Sequence, residues 1–393
     1  MTTDPVFRKR YLDALAATPQ ILGSTGSRLL SGATPAHDAL ERRIAHHMGS
    51  QDALLFHTGW EGNVCFFGTV PQKHDWIIYD ELMHASFYSG LAISKTPPKQ
   101  RIRMRHNSVA SLTKALRHIV AQGGLNTTKD GLKPTIFLVC ESIYSMDGDF
   151  APLPAFIDTM DAYIPKDQQC NFVDEAHSTA MYGEGGRGIC WALGPEYRNR
   201  VHVRLMTFGK AVGTAGSALL LTSMVKLYIT NFAWSVIFST APPHSLLVAV
   251  RESWDMLASP EGDAKRQEMY DNIAYFNSLV DRVLSIAPAN VLRRPEVDGF
   301  APFPAEAATQ LPEHPPSAVV ALCTPDPDAL YEFALERGFI LSSIIPPAVP
   351  PGQERIRICL RAGMEKRHMD RLAQILVEYI QSKVQTDQVP AKL

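Results

Sequence analysis

The sequence lacks paired cysteines. Its six cysteines show no C-x-x-C spacing, and they stand at positions 65, 140, 170, 190, 323 and 359. The missing spacing excludes the usual zinc ribbon and gives no sign of a disulfide framework. Several of these cysteines lie within apolar runs. We therefore expect reduced thiols, as in intracellular proteins, and no metal site.

Long apolar runs and an excess of one charge are missing as well. No uncharged apolar run reaches the roughly 18 residues that span a bilayer, and the N-terminus has no long apolar stretch of the secretory kind. The 38 lysines and arginines are balanced by 40 aspartates and glutamates, for a formal net charge of -2. We therefore expect neither a membrane nor a nucleic acid as a partner.

What the chain does have is length and an alternating pattern. Its 393 residues, 46% of them hydrophobic, suffice for two domains with sizeable cores. Short apolar stretches typical of strands, such as 76–79 and 135–140, alternate with helical patterns. This alternation predicts an α/β domain with a mainly parallel sheet covered on both faces, followed by a smaller α+β layer. We place an N-terminal segment at 1–45, a large domain at 46–250 and a small C-terminal domain at 251–393.

Three local predictions concern the second half of the chain. SVIFST (235–240) has the composition of an extended stretch. Pro242 and Pro243 suit the first turn of a long helix. The periodicity near the end of the chain predicts a final helix over 366–380.

A lysine lies on a turn between two apolar runs in VHVRLMTFGKAVGTAGSALLL (201–221). The neighbours of Lys210, among them Thr207, Phe208 and Gly209, form a compact and largely apolar setting. Because desolvation lowers the pKa of an amine, we expect Lys210 to be suited to forming a Schiff base. The alternative is a surface turn whose ammonium group reaches water.

Polar residues end the predicted strands. Asp174 closes an apolar strand in CNFVDEAHSTAMYGEGGRGI (170–189), and His177 follows it by three residues. Functional groups gather at the carboxyl ends of parallel strands, although a polar residue there is most often a helix cap or turn former. Gly59 lies between a strand and a helix, where free backbone N–H groups suit a phosphate.

Five motifs in chain order resemble those of the α-oxoamine synthases. They are GSTGSRLLSG (23–32), SMDGD (145–149), VDEAH (173–177), TFGK (207–210) and FSTAPP (238–243). These are pyridoxal 5'-phosphate (PLP) enzymes of fold type I, which condense an amino acid with an acyl-CoA and release carbon dioxide. The resemblance implies PLP as the cofactor and a large α/β domain with a smaller C-terminal domain.

The resemblance also implies roles for the catalytic residues. Lys210 would join the cofactor covalently and later remove the Cα proton of the amino acid, and Asp174 would hold the ring nitrogen protonated. His177 and Ser145 would lie near the phenolic oxygen of the cofactor. His84, in MHAS, matches the histidine that stacks on the ring, whereas a histidine at the start of an apolar helix is more often a satisfied buried polar group.

Further residues would bind the phosphate and the substrate. The resemblance assigns the phosphate to Gly59, Trp60 and Thr207 and, from the other subunit of a homodimer, to Ser239 and Thr240. Trp60 stands where the family usually has Phe or Tyr. The substrate-binding residues that the resemblance implies are Arg357, which would pair with the amino-acid carboxylate, and Arg28.

Among the family's reactions, we favour the condensation of L-alanine with pimeloyl-CoA to 8-amino-7-oxononanoate, a step of biotin synthesis. The alternatives are synthesis of 5-aminolevulinate, formation of 2-amino-3-ketobutyrate, and condensation of a longer acyl chain in secondary metabolism. A catalytically silent partner subunit is also an alternative, because the sequence contains no N-D-Y-L-G type motif.

The last three residues favour one compartment. They read Ala391, Lys392 and Leu393, one small-residue change from the peroxisomal signal S-K-L. We therefore expect a peroxisomal protein, and otherwise a cytoplasmic one. This ending also favours the pimeloyl-CoA reaction, because acyl-CoA shortening to a pimeloyl unit could occur in that organelle.

Overall fold

The computed structural model describes residues 4–19, 23–296 and 317–387, with side chains up to residue 385. Within these residues the chain divides into two compact units. The first contains the described residues of 1–143 and 150–263, and the second contains 144–149, 264–296 and 317–387. The units group the chain differently from the predicted domains, since residues 144–149 belong to the second unit. The predicted domain boundaries stay a prediction. The terminal Ala391–Leu393 lies outside the described residues.

The first unit contains one large sheet and most of the helices. Its strands are β1 (Asp52–Phe56), β2 (Trp76–Asp80), β3 (Arg101–Met104), β4 (Ile136–Glu141), β5 (Gln169–Asp174), β6 (Val203–Thr207) and β7 (Ser217–Leu221). Its helices are α1 (Pro5–Ala16), α2 (Pro35–His47), α3 (Gly59–Thr69), α4 (Ala85–Ala92), α5 (Val109–Ala121), α6 (Leu153–Tyr163), α7 (Ile189–Ala192), α8 (Gly194–Arg198), α9 (Ser223–Phe232), α10 (Trp234–Ile237) and α11 (His244–Leu257).

The seven strands lie in the order β1-β7-β6-β5-β4-β2-β3. The pairs β3–β2, β2–β4, β4–β5 and β5–β6 are parallel, whereas β7 is antiparallel to both β6 and β1. Parallel neighbours require crossover connections, and helices supply them here. The predicted α/β fold with a mainly parallel sheet is confirmed.

Helices cover both faces of this sheet, as alternate residues of β1 illustrate. Leu54 and Phe56 belong to a buried cluster with side chains of α3, α4 and α9. Ala53 and Leu55 belong to a second cluster with side chains of α2 and α11. Since successive strand residues point to opposite faces, a strand buried on both sides is almost wholly apolar.

The second unit has its own small sheet. Its strands, β8 (Val319–Cys323), β9 (Ser342–Ile344) and β10 (Arg355–Cys359), lie antiparallel in the order β8-β10-β9. Its helices are α13 (Pro327–Leu335) and α14 (Lys366–Asp387), and α12 (Pro260–Leu284) begins in the first unit and ends in the second. The predicted final helix is confirmed as α14, whose buried side chains, Leu372, Ile375, Leu376 and Tyr379, recur at helical spacing.

The extended stretch predicted over 235–240 is wrong. The backbone N–H groups of Ile237 and Phe238 donate to the carbonyl oxygens of Ala233 and Trp234 at 3.0 and 2.9 Å, which is helical i to i-4 bonding. Only Val236 of this turn is buried, while Trp234 and Phe238 are exposed. The apolar composition therefore reflected an exposed surface and not a strand.

Three further findings concern the described residues alone. None of their helices has the length and apolar character needed to cross a bilayer. No group of three or more His, Cys, Asp or Glu side chains among them is arranged to hold a metal ion. All six cysteines, which fall within the described ranges, are free thiols.

Candidate active site

The first unit contains a cavity of about 410 Å³ at the carboxyl ends of β4, β5 and β6 and beside the N-terminus of α3. It brings together residues that are far apart in the sequence. The predicted site residues that line it are Gly59, Trp60, His84, Asp174, His177, Thr207 and Lys210.

The sheet register places the acidic residues of the cavity side by side. Glu141 ends β4 and Asp174 ends β5, and the two are partners in the parallel register. Thr207 ends β6, and Lys210 follows it in the connection to the antiparallel β7. Gly213 lies in that connection with φ 77°, a conformation that an L side chain rarely adopts.

Lys210 is close to a histidine. Its Nζ lies 2.7 Å from Nε2 of His177. The expected desolvated setting of Lys210 is wrong, because Lys210 is an exposed residue of this structure. The apolar neighbour Phe208 is fully buried in the core behind the turn, and the adjacent Gly209 has no side chain that could cover the lysine.

Asp174 is buried and accepts two hydrogen bonds. Its Oδ1 accepts from the backbone N–H of Ala176 at 2.9 Å, and its Oδ2 accepts from Nδ2 of Asn63 at 3.0 Å. The first bond tightens the turn after β5, from which His177 reaches the cavity. Asn63 lies on α3, so that helix contributes both its N-terminus and an amide to the site.

Glu141 is a second buried carboxyl in the cavity. Its Oε1 accepts a hydrogen bond from the backbone N–H of His84 at 2.7 Å. Burial, and then the nearby Asp174 carboxylate, raise the pKa of Glu141 well above its usual range. This direction favours the neutral, protonated form of Glu141.

His84 is the N-cap of α4. Its Nδ1 lies 2.7 Å from Oγ of Ser86 and accepts from the backbone N–H of Ser86 at 3.2 Å. Burial lowers the pKa of His84; the carboxylate of Asp174 opposes this shift, and the charge of Lys210 adds to it. The ring of Trp60 approaches that of His84 edge-on, with the ring centres 6.1 Å apart.

The start of α3 forms a cradle for an anion. A Cβ atom on Gly59 would overlap Cγ2 of Thr207, so only glycine keeps this space open. The Oγ1 atom of Thr207 is buried and has no hydrogen-bond partner among the described residues. A buried hydroxyl without a partner is costly, and a phosphate oxygen next to it would supply the missing bond.

Three predicted residues of the first unit do not line the cavity. Ser239 and Thr240 are exposed; Oγ of Ser239 donates to the carbonyl of Ser235, and Thr240 pairs with Ser27. Arg28 is nearly buried, and its Nη2 forms ion pairs with Glu41 at 2.6 Å and with Asp38 at 3.3 Å.

Two further predicted residues belong to the second unit. Nη1 of Arg357 donates to the carbonyl oxygen of Ser145 at 3.2 Å. The neighbouring Arg355 forms an ion pair with Asp147, so the SMDGD segment is held by two arginines of β10. The roles of Arg28, Ser145 and Arg357 stay predictions.

Some residues of the cavity were not predicted from the sequence. Asn63 and Ser86 line it, as does His57, whose pKa is raised chiefly by a hydrogen bond to Glu61. The position of Asn63, four residues after Gly59 on a helix, places both on one face and could have indicated it. Glu141, the last residue of β4, also lines the cavity and was not among the predicted site residues.

Comparison with known proteins agrees with this geometry. The family model "Aminotransferase class I and II" matches residues 7–376. The 8-amino-7-oxononanoate synthase of Emericella nidulans is 32% identical over 384 residues, which cover 97% of this chain and 87% of that enzyme. The chain belongs to the α-oxoamine synthases.

Other members of this family are similar over most of the chain. Aminoacyl transferase sphA of Aspergillus fumigatus is 28% identical over 97% of this chain and 79% of its own length. The structure of Sphingomonas wittichii serine palmitoyltransferase has a TM-score of 0.77 at 26% identity, covering 97% of this chain and 84% of that one. A structure of SPT with PLP has a TM-score of 0.78 at 25% identity, covering 97% and 85%.

PLP is the cofactor of this α-oxoamine synthase family member, and the residues present fit it. Thr207 and the N-terminus of α3 suit its phosphate, as the buried and unpartnered Oγ1 indicates. Asp174 offers a buried carboxylate for the ring nitrogen, and Lys210 offers an amine for the aldehyde.

Proposed function

We propose that this α-oxoamine synthase condenses L-alanine with pimeloyl-CoA, releasing carbon dioxide and CoA, to give 8-amino-7-oxononanoate. The observation that carries the proposal is the 32% identity to the Emericella nidulans enzyme of that name across nearly the whole chain. The 8-amino-7-oxononanoate synthase of Sodalis glossinidius, 32% identical over 90% of this chain, supports it.

In this reaction the cofactor and four residues of the chain would each have a separate role. PLP, when bound, supplies an electron sink for the Cα of the amino acid. Lys210 would move the Cα proton, and His177, 2.7 Å from its Nζ, would orient that amine. Asp174 would hold a proton on the ring nitrogen as a charged pair. His84 would lie against the ring face.

The second candidate function is the same type of condensation with a different amino acid and a different acyl-CoA. The similarity to sphA and to serine palmitoyltransferase favours it, because these relatives resemble the chain over the same length. Chain-length selection depends on the shape of the acyl pocket, and a difference of one methylene changes binding by only about 1–3 kcal/mol.

Product analysis with purified protein tests the proposal. The three incubations are L-alanine with pimeloyl-CoA, glycine with succinyl-CoA, and L-serine with palmitoyl-CoA. We expect 8-amino-7-oxononanoate, detected by mass spectrometry, from the first pair only. Turnover of either other pair alone would contradict the proposal. A protein whose visible absorbance does not change when an amino acid is added would instead be a silent partner subunit.

We also propose a homodimer. Large apolar side chains in the segment 224–238, which precedes Ser239 and Thr240 in the chain, are exposed; they are Met224, Leu227, Phe232, Trp234 and Phe238. Exposed apolar surface of this kind is typical of protein interfaces. A second copy would cover it and receive Ser239 and Thr240 at its phosphate site. Analytical ultracentrifugation of the native protein and of Trp234→Glu would test this, with a dimer expected only for the native protein.

The peroxisomal location is likewise a proposal, supported by the sequence Ala391, Lys392 and Leu393 alone. A fluorescent protein fused to the N-terminus of this chain should colocalise with a peroxisomal marker. Deleting the last three residues should leave it diffuse. Diffuse fluorescence of the intact fusion would contradict the proposal.

A further inference from the structure

Four side chains of the cavity form a continuous hydrogen-bonded line. Nδ2 of Asn63 lies 3.0 Å from Oδ2 of Asp174 and 2.9 Å from Oγ of Ser86. Oγ of Ser86 lies 2.7 Å from Nδ1 of His84. The line therefore connects the carboxylate at one side of the cavity with the imidazole at the other.

With Asp174 ionised, each hydrogen bond of this line can be donated in only one direction. An ionised carboxylate accepts and never donates, so the amide of Asn63 must turn its NH₂ group towards Asp174. The second N–H of that NH₂ group points to Ser86, whose oxygen accepts it. The hydroxyl proton of Ser86 is then left for the next atom, which is Nδ1 of His84.

Nδ1 of His84 therefore carries no proton. It receives the hydroxyl of Ser86 and also the backbone N–H of Ser86, at 3.2 Å. In a neutral imidazole the proton must then be on Nε2. His84 lines the cavity. Its two hydrogen bonds with Ser86 use only Nδ1, so Nε2 is the nitrogen left to donate to another group.

We propose that Asp174, acting through Asn63 and Ser86, holds His84 as the neutral tautomer protonated on Nε2, which leaves Nε2 as the donor nitrogen of the ring. Asn63 and Ser86 are then positioning residues for His84. The tautomer does not depend on the proposed function. In this arrangement His84 is a donor and not a general base.

The burial and charges around the line agree with it. Asn63 and Ser86 are each 1% exposed, so water does not compete for their hydrogen bonds. The charged and titratable groups that face His84 are Asp174, Lys210 and Glu141. Burial lowers the pKa of His84 although Asp174 opposes the shift, and Lys210 lowers it further. Both oxygens of Asp174 lie opposite N–H donors, those of Ala176 and Asn63, as an acceptor requires.

Nitrogen NMR of the holoenzyme labelled with ¹⁵N-histidine tests the tautomer directly. The His84 signals are identified as those missing from the spectrum of His84→Gln. At neutral pH we expect Nε2 to show the shift of a protonated nitrogen and Nδ1 that of an unprotonated one. A proton on Nδ1, or on both nitrogens, would overturn the proposal. The chemical shifts are recorded without substrate, so the result does not depend on which reaction the enzyme catalyses.

A pair of variants tests the line itself. In Ser86→Ala, Nδ1 loses one of its two donors, and we expect the pKa of His84 to rise by about one unit. Ser86→Thr keeps the hydroxyl and should keep the native pKa. An unchanged pKa in a folded Ser86→Ala protein would overturn the role of Ser86. Because both variants are read by titration, a wrong substrate assignment would leave the result intact.

Discussion

Nζ of Lys210 lies 2.7 Å from Nε2 of His177, although 33 residues separate them in the chain. The lysine is on the connection between β6 and β7, and the histidine is on the turn after β5. A lysine ammonium can only donate, so Nε2 accepts and the proton of a neutral His177 is on Nδ1. The histidine thereby fixes an amine that is otherwise exposed.

We predict that His177→Ala slows turnover about 10- to 100-fold, the effect of losing one hydrogen bond to a charged group. Steady-state kinetics with saturating amino acid measure it. His177→Gln, which offers an amide oxygen to Lys210, should retain more activity than His177→Ala. Equal activity of native enzyme and His177→Ala would contradict the orienting role.

Asp174→Asn should keep PLP bound but slow condensation about 100-fold or more, because a neutral amide does not stabilise a protonated ring nitrogen as a carboxylate does. Cofactor content is measured by absorbance and the rate by CoA release. The side chain keeps its size, so the fold should be retained. Native activity of this variant would mean that another residue pairs with the ring nitrogen.

Glu141→Gln tests the buried acid pair through stability. The folded state raises the pKa of Glu141, so this group stabilises the native chain fully below its unfolded pKa of about 4.3, and the contribution is lost as pH rises through the folded pKa.

Relative to Glu141→Gln, which carries no titrating proton, the native protein should lose up to about 1.4 kcal/mol per pH unit above pH 4.3. Urea unfolding at several pH values measures the difference in free energy. A difference that does not change with pH would show that Glu141 has an ordinary pKa.

The contact between Gly59 and Thr207 predicts a suppressor. Gly59→Ala places a methyl group against Cγ2 of Thr207 and should weaken PLP binding about tenfold or more by narrowing the phosphate cradle. Adding Thr207→Ser removes Cγ2 but keeps the hydroxyl, and it should restore most of the affinity. Fluorescence titration with PLP measures both. Affinity for pyridoxal, which has no phosphate, should change much less.

The sequence was sufficient for the fold and for the main side chains of the cavity. Apolar strands such as β4 and β5 are nearly continuous runs, and each ends at a carboxylate that the register then pairs, Glu141 with Asp174. The local sequence was enough to select Gly59 as part of a phosphate-binding turn and Lys210 as the candidate Schiff-base lysine. The structure brings these residues to one cavity, and their catalytic roles stay predictions.

The remaining features depend on contacts between distant segments. Asn63 meets Asp174 across 111 residues, and no local pattern indicates that bond. Phe208 is buried in the core while Lys210, two residues later, is exposed, and Arg28 forms ion pairs with Asp38 and Glu41 of α2. In the segment 235–240, apolar composition predicted a strand because exposed apolar side chains cannot be distinguished from buried ones by sequence.

Reduction of the holoenzyme with borohydride, followed by peptide mapping, tests the central claim most directly, since it fixes the cofactor to the amine that holds it. We predict that the pyridoxyl group is found on Lys210 and that Lys210→Ala is unlabelled and inactive. A label on another lysine, or no label at all on the native protein, would contradict the account.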